Sequence, residues 1–163
     1  YLNGTRPKGW SRVGSTSEHL LTTTVYSRTA HRADPGRNVK VRLPNKVHAA
    51  ATVAAYSGAA ATERQRLSGD AGGRTHTAPS LTRLSAGSLV VTFWAGRADH
   101  TIQWRTAKSI AHRATAAGHG HSAVGSLLTD SGRAVSGTYA GLVPRTKPAS
   151  DAGIAVSIAL SPR

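Results

Sequence analysis

One run of residues constrains the fold of this chain more than any other feature. Residues Ser88–Ala95 read Ser-Leu-Val-Val-Thr-Phe-Trp-Ala, a nearly unbroken series of β-branched and aromatic side chains. Short apolar runs of this kind are typical of strands that lie inside a sheet and are covered on both faces. We therefore predict a central strand here, with residues 89–94 largely buried on both sides.

The rest of the chain shows a period of two residues, and almost never the period of 3.6 that marks an amphipathic helix. Val39, Val41 and Leu43 alternate with polar residues before Pro44, which predicts a half-buried strand that ends at the proline. Further strands are predicted at Leu20–Ser27, Val47–Ser57, Thr101–Arg105, Ser109–Thr115, Ser122–Thr129 and Gly153–Leu160.

Turn signals rich in Gly, Ser and Asp separate these segments. They stand at Ser57-Gly58, Ser68-Gly69-Asp70, Gly72-Gly73, Asp130-Ser131-Gly132 and Pro144–Asp151. For Ala59–Arg66, a prediction of one or two helical turns stays open. The pattern predicts an all-β fold, an antiparallel β-sandwich of jelly-roll or Ig-like type with little or no helix, and residues 1–163 as a single domain.

Two residue types are missing from the chain. The absence of Cys excludes disulfides, thiolate metal sites and cysteine catalysis. Because the chain has no Met, we expect Tyr1 to be either a product of processing or the edge of a segment taken from a longer chain. No apolar run approaches the ~20 residues that a transmembrane helix needs, so no membrane span is predicted.

The charge balance is strongly positive, with 21 Lys and Arg against 7 Asp and Glu and a formal net charge of +14. A basic chain of this kind favours a polyanionic partner such as nucleic acid, a teichoic-acid wall polymer or anionic lipid. The basic residues are scattered singly, however, and an Arg-rich, Ala-rich composition is also typical of high-GC genomes. Both interpretations stay open, and any polyanion binding should be electrostatic and sensitive to salt.

Catalytic patterns are not found in the sequence. The carboxylate pairs for glycoside hydrolysis would be Asp99 with Asp130, or Asp70 with Asp99, and nothing places either pair together. Asp130 follows Thr129 in a Thr-Asp-Ser-Gly turn, where capping of its own backbone explains it. No Gly-x-Ser-x-Gly motif marks a nucleophilic serine. We predict that the chain is not an enzyme and needs no cofactor.

Three histidines form the candidate metal site. His119 and His121 are two residues apart, so they share one face of a strand, and a hairpin at residues 117–118 would bring His112 beside them. Imidazoles in this arrangement can chelate Zn²⁺ or Cu²⁺. The alternative is that these residues are solvated, as are the other histidines of the chain: His19, His31, His48, His76 and His100.

Aromatic side chains are scarce, which makes each of them a candidate for stacking on a glycan. Trp94 and Trp104 lie in predicted strands on apolar faces, and we expect both in the core. Trp10, Tyr26 and Tyr139 remain as candidate ligand-binding residues, with Arg and Asn side chains as hydrogen-bond donors.

An ordered set of eight short motifs resembles a family of β-sandwich domains in secreted actinobacterial proteins, often found beside PKD-type repeats or wall-associated modules. The motifs span nearly the whole chain. They are Pro7-Lys8-Gly9-Trp10, Thr24-Val25-Tyr26-Ser27-Arg28, Asp34-Pro35-Gly36, Ala54-Ala55-Tyr56-Ser57-Gly58, Thr75-His76-Thr77-Ala78-Pro79, Gly87-Ser88-Leu89-Val90-Val91, Ser126-Leu127-Leu128-Thr129-Asp130-Ser131-Gly132 and Gly137-Thr138-Tyr139.

The resemblance implies a β-sandwich fold and an extracellular, secreted or cell-surface location. It implies little about the chemistry of the chain. Two departures from the family pattern stand out: the strands that precede the Gly-Trp motif are missing, and the last strand has Ala155 or Val156 where the family has an aromatic residue. Missing strands would leave a sheet edge unpaired, which another chain can fill by strand addition.

We therefore expect a non-catalytic structural or adhesive module that self-associates or takes a strand from a partner chain, with a filament as one outcome. A carbohydrate- or wall-polymer-binding module is the first alternative. A non-specific binder of nucleic acid or other polyanions is the second.

Overall fold

The computed structural model describes residues 6–43, 46–107 and 110–163. Within these ranges the chain is all-β and contains no helix. Its strands are β1 (Ser11–Glu18), β2 (Leu21–Ser27), β3 (Ala59–Asp70), β4 (Gly73–Thr75), β5 (Leu81–Ala98), β6 (Gln103–Arg105), β7 (Ala111–Ala117), β8 (Ala123–Asp130), β9 (Val135–Tyr139), β10 (Arg145–Ser150) and β11 (Ala152–Pro162).

The strands form three antiparallel sheets. The central sheet has the order β3-β11-β5-β8-β7, and β9 pairs with the first half of the long strand β5. A small sheet has the order β4-β10-β6, and β1 with β2 forms a hairpin. In the described part of the chain, no helix is long and apolar enough to cross a membrane.

Strand β5 lies at the centre, as the apolar run predicts. Val90 and Trp94 are fully buried on one face and Thr92 beside them is 1% exposed. Val91 is 8% exposed on the opposite face, where Leu89 and Phe93 are half-buried. The prediction that this strand is covered on both faces is confirmed.

The chain's own elements cover one face of the central sheet. Leu21 of β2 packs with Ala95, Ile154 and Val156 in an apolar cluster, so the β1–β2 hairpin lies over β5 and β11. The segment before β3 lies over β8 on the same face, because the Thr52 hydroxyl is 3.1 Å from that of Ser126.

The opposite face carries two further clusters. Trp94 packs with Leu127, Ala155 and Ala78, while Val90 packs in a second group with three other apolar residues: Leu81, Leu84 and Ala159. The small sheet lies over the first cluster, because Trp104 of β6 packs against it. The result is a layered, sandwich-like all-β structure, and the jelly-roll or Ig-like type stays a prediction.

The predicted strands at Leu20–Ser27, Ser88–Ala95, Thr101–Arg105, Ser122–Thr129 and Gly153–Leu160 correspond to β2, β5, β6, β8 and β11. The strand predicted at Ser109–Thr115 corresponds to β7, with Ser109 outside the described residues. All six were predicted from runs that contain apolar or β-branched residues.

Two predicted strands are wrong. Val39, Val41 and Leu43 are 42–49% exposed and only Arg42 makes an isolated bridge, because no neighbouring layer buries their apolar side. Pro44, which we expected to end that strand, lies outside the described residues. Val47–Ser57 crosses the face of β8 through side-chain contacts and forms no ladder in the described part.

Three segments predicted as turns or helix belong to strands. Ala59–Arg66, for which a helical turn stayed open, begins β3, and Ser68-Gly69-Asp70 ends it, because the whole segment pairs with β11. Pro144–Asp151 contains β10. The turns at Gly72 and at Asp130–Gly132 are confirmed. A Cβ on Gly72, whose φ is +96°, would lie 2.3 Å from the carbonyl oxygen of Ser150.

Replacement of the most buried aromatic residue tests this architecture. Trp94→Ala should lower the free energy of unfolding by about 3–5 kcal/mol, because it leaves a cavity between the central sheet and the small sheet. Leu20→Ala is the control, since Leu20 is 80% exposed. Urea unfolding measures both. Equal stability of the Trp94→Ala variant and the wild type would contradict the fold.

Candidate functional site

Three glycines lie side by side across the central sheet. Gly153 of β11 pairs with Gly96 of β5, and Gly96 pairs with Gly125 of β8. The neighbouring pairs on the same face carry Trp94, Leu127 and Ala155. Because glycines have no side chains, this glycine row leaves a depression in the face that the small sheet covers.

Two rings from the layer of the small sheet, those of His76 and Trp104, fill this depression. A Cβ on Gly153 would lie 2.2 Å from Nδ1 of His76, and Cβ atoms on Gly96 and Gly125 would lie 3.2 and 3.4 Å from atoms of the Trp104 ring. The His76 and Trp104 rings meet edge to face at 5.4 Å between centroids. A side chain at Gly153 would overlap the imidazole of His76. Cβ atoms at Gly96 and Gly125 would instead make tight contacts with Ile102, 3.1 Å away in both cases, and with the Trp104 ring.

His76 connects strands β3 and β10 through its ring nitrogens. Nδ1 is 3.0 Å from a carboxylate oxygen of Asp70, and Nε2 is 3.1 Å from the Ser150 hydroxyl and 3.4 Å from that of Thr146. A neutral ring that donates from Nδ1 to the carboxylate leaves Nε2 to accept from a hydroxyl. The prediction that His76 is solvated is wrong, since the residue is fully buried.

The order Asp70–His76–Ser150 is that of a hydrolase triad, but its surroundings are those of a structural link. A nucleophilic serine must reach a substrate. Ser150 is only 6% exposed, and its Cβ lies so close to the central sheet that a Cβ on Gly96 would be 3.6 Å from it. The network joins β3 and the β4 segment to β10.

The outer face of the small sheet carries a basic groove of about 230 Å³, lined by Arg74, Thr75, Arg105, Arg145, Thr146 and Lys147. Arg145 of β10 lies directly opposite Arg105 of β6 and opposite Thr75 of β4. Lys147 lies two residues further along β10, so it shares a face with Arg145. Thr146 points the other way, toward His76.

The four cations of the basic groove have no carboxylate partner in the described part of the chain. The ion pairs found there join other residues, such as Arg28 with Asp34 and Arg113 with Asp130. Like charges placed directly opposite each other on neighbouring strands destabilise a sheet. The Arg105–Arg145 pair is therefore an unfavourable feature that a bound anion would relieve.

Guanidinium groups bind phosphate, sulfate and carboxylate groups with two parallel hydrogen bonds, and a lysine adds a point charge. Among the residues that the structure describes, no aromatic ring lines the basic groove. Trp104, on the strand between the groove and the core, has its indole nitrogen buried. The groove can therefore recognise anionic groups, whereas stacking on a base or a sugar ring has no platform there.

A second charged cluster holds the segment before β3. Arg113 donates to both carboxylate oxygens of Asp130, from Nη2 at 3.0 Å and from Nε at 2.5 Å. Asp130 also accepts from the backbone N–H of Gly132 at 2.8 Å, which confirms the predicted capping. Arg113 is the bulge residue of edge strand β7, which turns its side chain toward β8.

Tyr56 lies beside this ion pair. Burial of its hydroxyl raises the pKa of Tyr56 to about 12, the negative charge of Asp130 acts in the same direction, and Arg113 opposes it. The phenol is thus held neutral next to a buried carboxylate.

The candidate glycan-binding residues Trp10 and Tyr26 lie at the same end of the β1–β2 hairpin. The Arg28 guanidinium lies 5.7 Å from the centroid of the Trp10 ring and also pairs with Asp34. That ion pair, together with the backbone N–H of His31, lowers the pKa of Asp34. Tyr26 pairs with Arg12 across the hairpin and is half-buried.

Tyr139 is not part of that group. It lies on β9, where it packs against the cluster of Leu81, Leu84 and Val90. Burial raises its pKa, and the charge of Asp130 adds to the effect. The structure therefore joins Trp10 with Tyr26 and gives Tyr139 a packing role.

The candidate metal ligands have separate partners. His112 Nε2 is 2.7 Å from the Thr106 hydroxyl, and His119 Nδ1 is 3.2 Å from that of Thr101. His121 lies near His100, with 6.3 Å between ring centroids. Within residues 6–43, 46–107 and 110–163, no three His, Asp or Glu side chains group as metal ligands. The geometry gives the metal hypothesis no support.

The basic groove could not be found from sequence spacing. Arg74, Arg105 and Arg145 are 31 and 40 residues apart, and only the pairing of β4, β10 and β6 brings them together. The His76 network has a local signal, since Asp70 and His76 flank Gly72-Gly73.

Comparison of the chain with protein-family models, with curated proteins and with solved structures found no match.

The contact between His76 and Gly153 can be tested by a double-mutant cycle. Gly153→Ala should cost about 1–3 kcal/mol of unfolding free energy, because the added methyl overlaps the imidazole. In the His76→Ala background the same substitution should cost less, because the ring is gone and Asp70 Oδ1, which would lie 2.6 Å from the added methyl, is no longer held by the ring nitrogen. Urea unfolding of the four proteins measures the coupling. Additive costs would show that the ring does not lie on Gly153.

Titration of Tyr56 predicts a loss of stability in alkali. Because its folded-state pKa of about 12 lies above the ordinary 10.0, its contribution is fully present below pH 10 and is lost as the pH rises to 12. Tyr56→Phe removes this titration. The unfolding free energy of the variant should therefore fall less than that of the wild type over this range. Parallel pH profiles would contradict the burial of the phenol.

Proposed function

We propose that this chain is a non-catalytic all-β module that binds an anionic polymer along the basic groove of the β4-β10-β6 sheet. The observation that carries the proposal is the cross-strand pair of Arg105 and Arg145 with Lys147 and Arg74 beside it, all without a carboxylate partner among the described residues. The sequence predicts a non-specific polyanion binder as its second alternative, and the proposal differs from it in assigning the binding to one groove.

A polymer fits the basic groove better than a single small anion. Arg145 and Lys147 are about 6.6–6.8 Å apart along β10, and Arg105 lies about 5 Å away on the neighbouring strand. These Cα spacings distribute the basic residues along two neighbouring strands on an exposed face. Phosphate or sulfate groups repeated along a chain can meet several of them at once, and the affinity then depends strongly on salt.

A structural or adhesive role outside the cell remains a second candidate. Strand β3 is twelve residues long and pairs only with β11 in the described part of the chain. An edge of this length can accept a strand from another copy or a partner. Sedimentation velocity over a dilution series tests this: dimers or larger species support assembly, and a monomer at every concentration contradicts it.

The glycan alternative has less support. The ring of Trp10 is partly covered by Arg28, and Tyr139 packs against the interior. The extracellular location rests on the family resemblance and is part of the proposal.

Substitution of two groove arginines tests the proposed function. Arg105→Gln/Arg145→Gln should weaken binding to inorganic polyphosphate by at least about tenfold at low salt, since it removes two charged hydrogen-bond donors. The slope of log K against log salt should fall by about 1.5, at roughly 0.7–0.9 for each lost contact. Fluorescence anisotropy with labelled polyphosphate measures both.

The matched control is Arg64→Gln/Arg133→Gln, which removes the same charge from exposed positions outside the basic groove. When both double variants are compared at about 0.15 M salt, its affinity should stay within about twofold of the wild type, because the Debye length there is about 8 Å and exposed charges far from the groove are screened. An equal loss in the two double variants would mean that binding follows net charge alone, and would contradict a groove-specific site.

A further inference from the structure

Three buried hydroxyl groups lie in one line across the central sheet. Ser157 of β11 pairs with Thr92 of β5, and Thr92 pairs with Thr129 of β8. All three residues are at most 1% exposed. They share the face of Trp94 and Val90, the residues on either side of Thr92 along β5, so the hydroxyl row separates the two apolar clusters of that face.

None of the three hydroxyl oxygens has a hydrogen-bond partner among the residues that the structure describes. The indole nitrogen of Trp94, next to Thr92 on this face, also has none there. Buried polar groups are nearly always satisfied in native proteins, and those that the protein does not satisfy are usually bonded to ordered water.

The hydroxyl row has its three side chains directly opposite one another on neighbouring strands, yet none of the three hydroxyls bonds to its neighbour. A water with hydrogen bonds of about 2.7–2.8 Å to each of two neighbouring hydroxyl oxygens can link them. Each water would then have two hydroxyl partners within the row.

The hydroxyl row reaches solvent at both ends. On the edge strand β3, Arg66 pairs with Ser157, and on the edge strand β7, His112 pairs with Thr129. Both end residues are exposed. A polar line thus crosses the sheet from edge to edge between two apolar clusters.

We propose that this row is an internal hydration site that binds a file of water molecules, one between Ser157 and Thr92 and one between Thr92 and Thr129. The waters satisfy the three hydroxyls and extend toward the exposed edges. The site is independent of the basic groove on the outer layer.

A high-resolution crystal structure and one isosteric substitution test the proposal together. Density peaks should lie within 2.7–3.2 Å of the neighbouring hydroxyl oxygens. Thr92→Val removes the hydroxyl that both waters share, so both peaks should disappear and the midpoint of urea unfolding should fall. Thr138→Val, the same change at an exposed residue, should leave the midpoint unchanged.

Two results would overturn the proposal. A row that is dry in the crystal, with hydroxyls bonded to one another or to backbone carbonyls, excludes bridging water. A higher unfolding midpoint for Thr92→Val would show that the hydroxyl is unsatisfied in the wild type, because valine then replaces a buried polar group that has no partner.

Discussion

The packing of the small sheet onto the central sheet depends on the row of Gly153, Gly96 and Gly125. A Cβ on Gly153 would overlap His76, and Cβ atoms on Gly96 and Gly125 would crowd Ile102 and Trp104, which lie over the row. Because protein interiors are close-packed, a layer held off by even one methyl group loses its contacts. The glycine row thus sets the distance between the layers. His76 then fixes β10 from within, through Thr146 and Ser150.

Strand β10 has different chemistry on its two faces. On the inner face, Thr146 bonds to the buried histidine, and on the outer face Arg145 and Lys147 stand beside Arg105. The acidic side chains of the chain are few, and the pairs that hold the fold use several of them, as Asp130 with Arg113 shows. The groove cations have no carboxylate partner among the described residues, and they are the groups that we propose bind an external anion.

Residue patterns predicted the all-β class and the strands whose apolar side is buried, such as β5 and β8. These patterns failed where solvent exposure or pairing between distant parts of the chain decides whether a segment forms a strand. Val39, Val41 and Leu43 alternate as a strand should, yet no layer covers them, and the alanine-rich start of β3 is a strand because it pairs with β11. Pro144 and Pro148 indicated a turn where β10 forms between two partners. The groove arginines come from three strands, so their proximity is a property of topology alone.

The central claim is that anions bind on the β4-β10-β6 face of a sheet held in place by the glycine row. Titration of ¹⁵N-labelled protein with inorganic polyphosphate, followed by amide chemical shifts, tests it most directly. Shifts should concentrate at Arg74, Thr75, Arg105, Arg145 and Lys147, and Arg64 on β3 should move little. Shifts spread evenly over the exposed arginines of the chain would contradict the account.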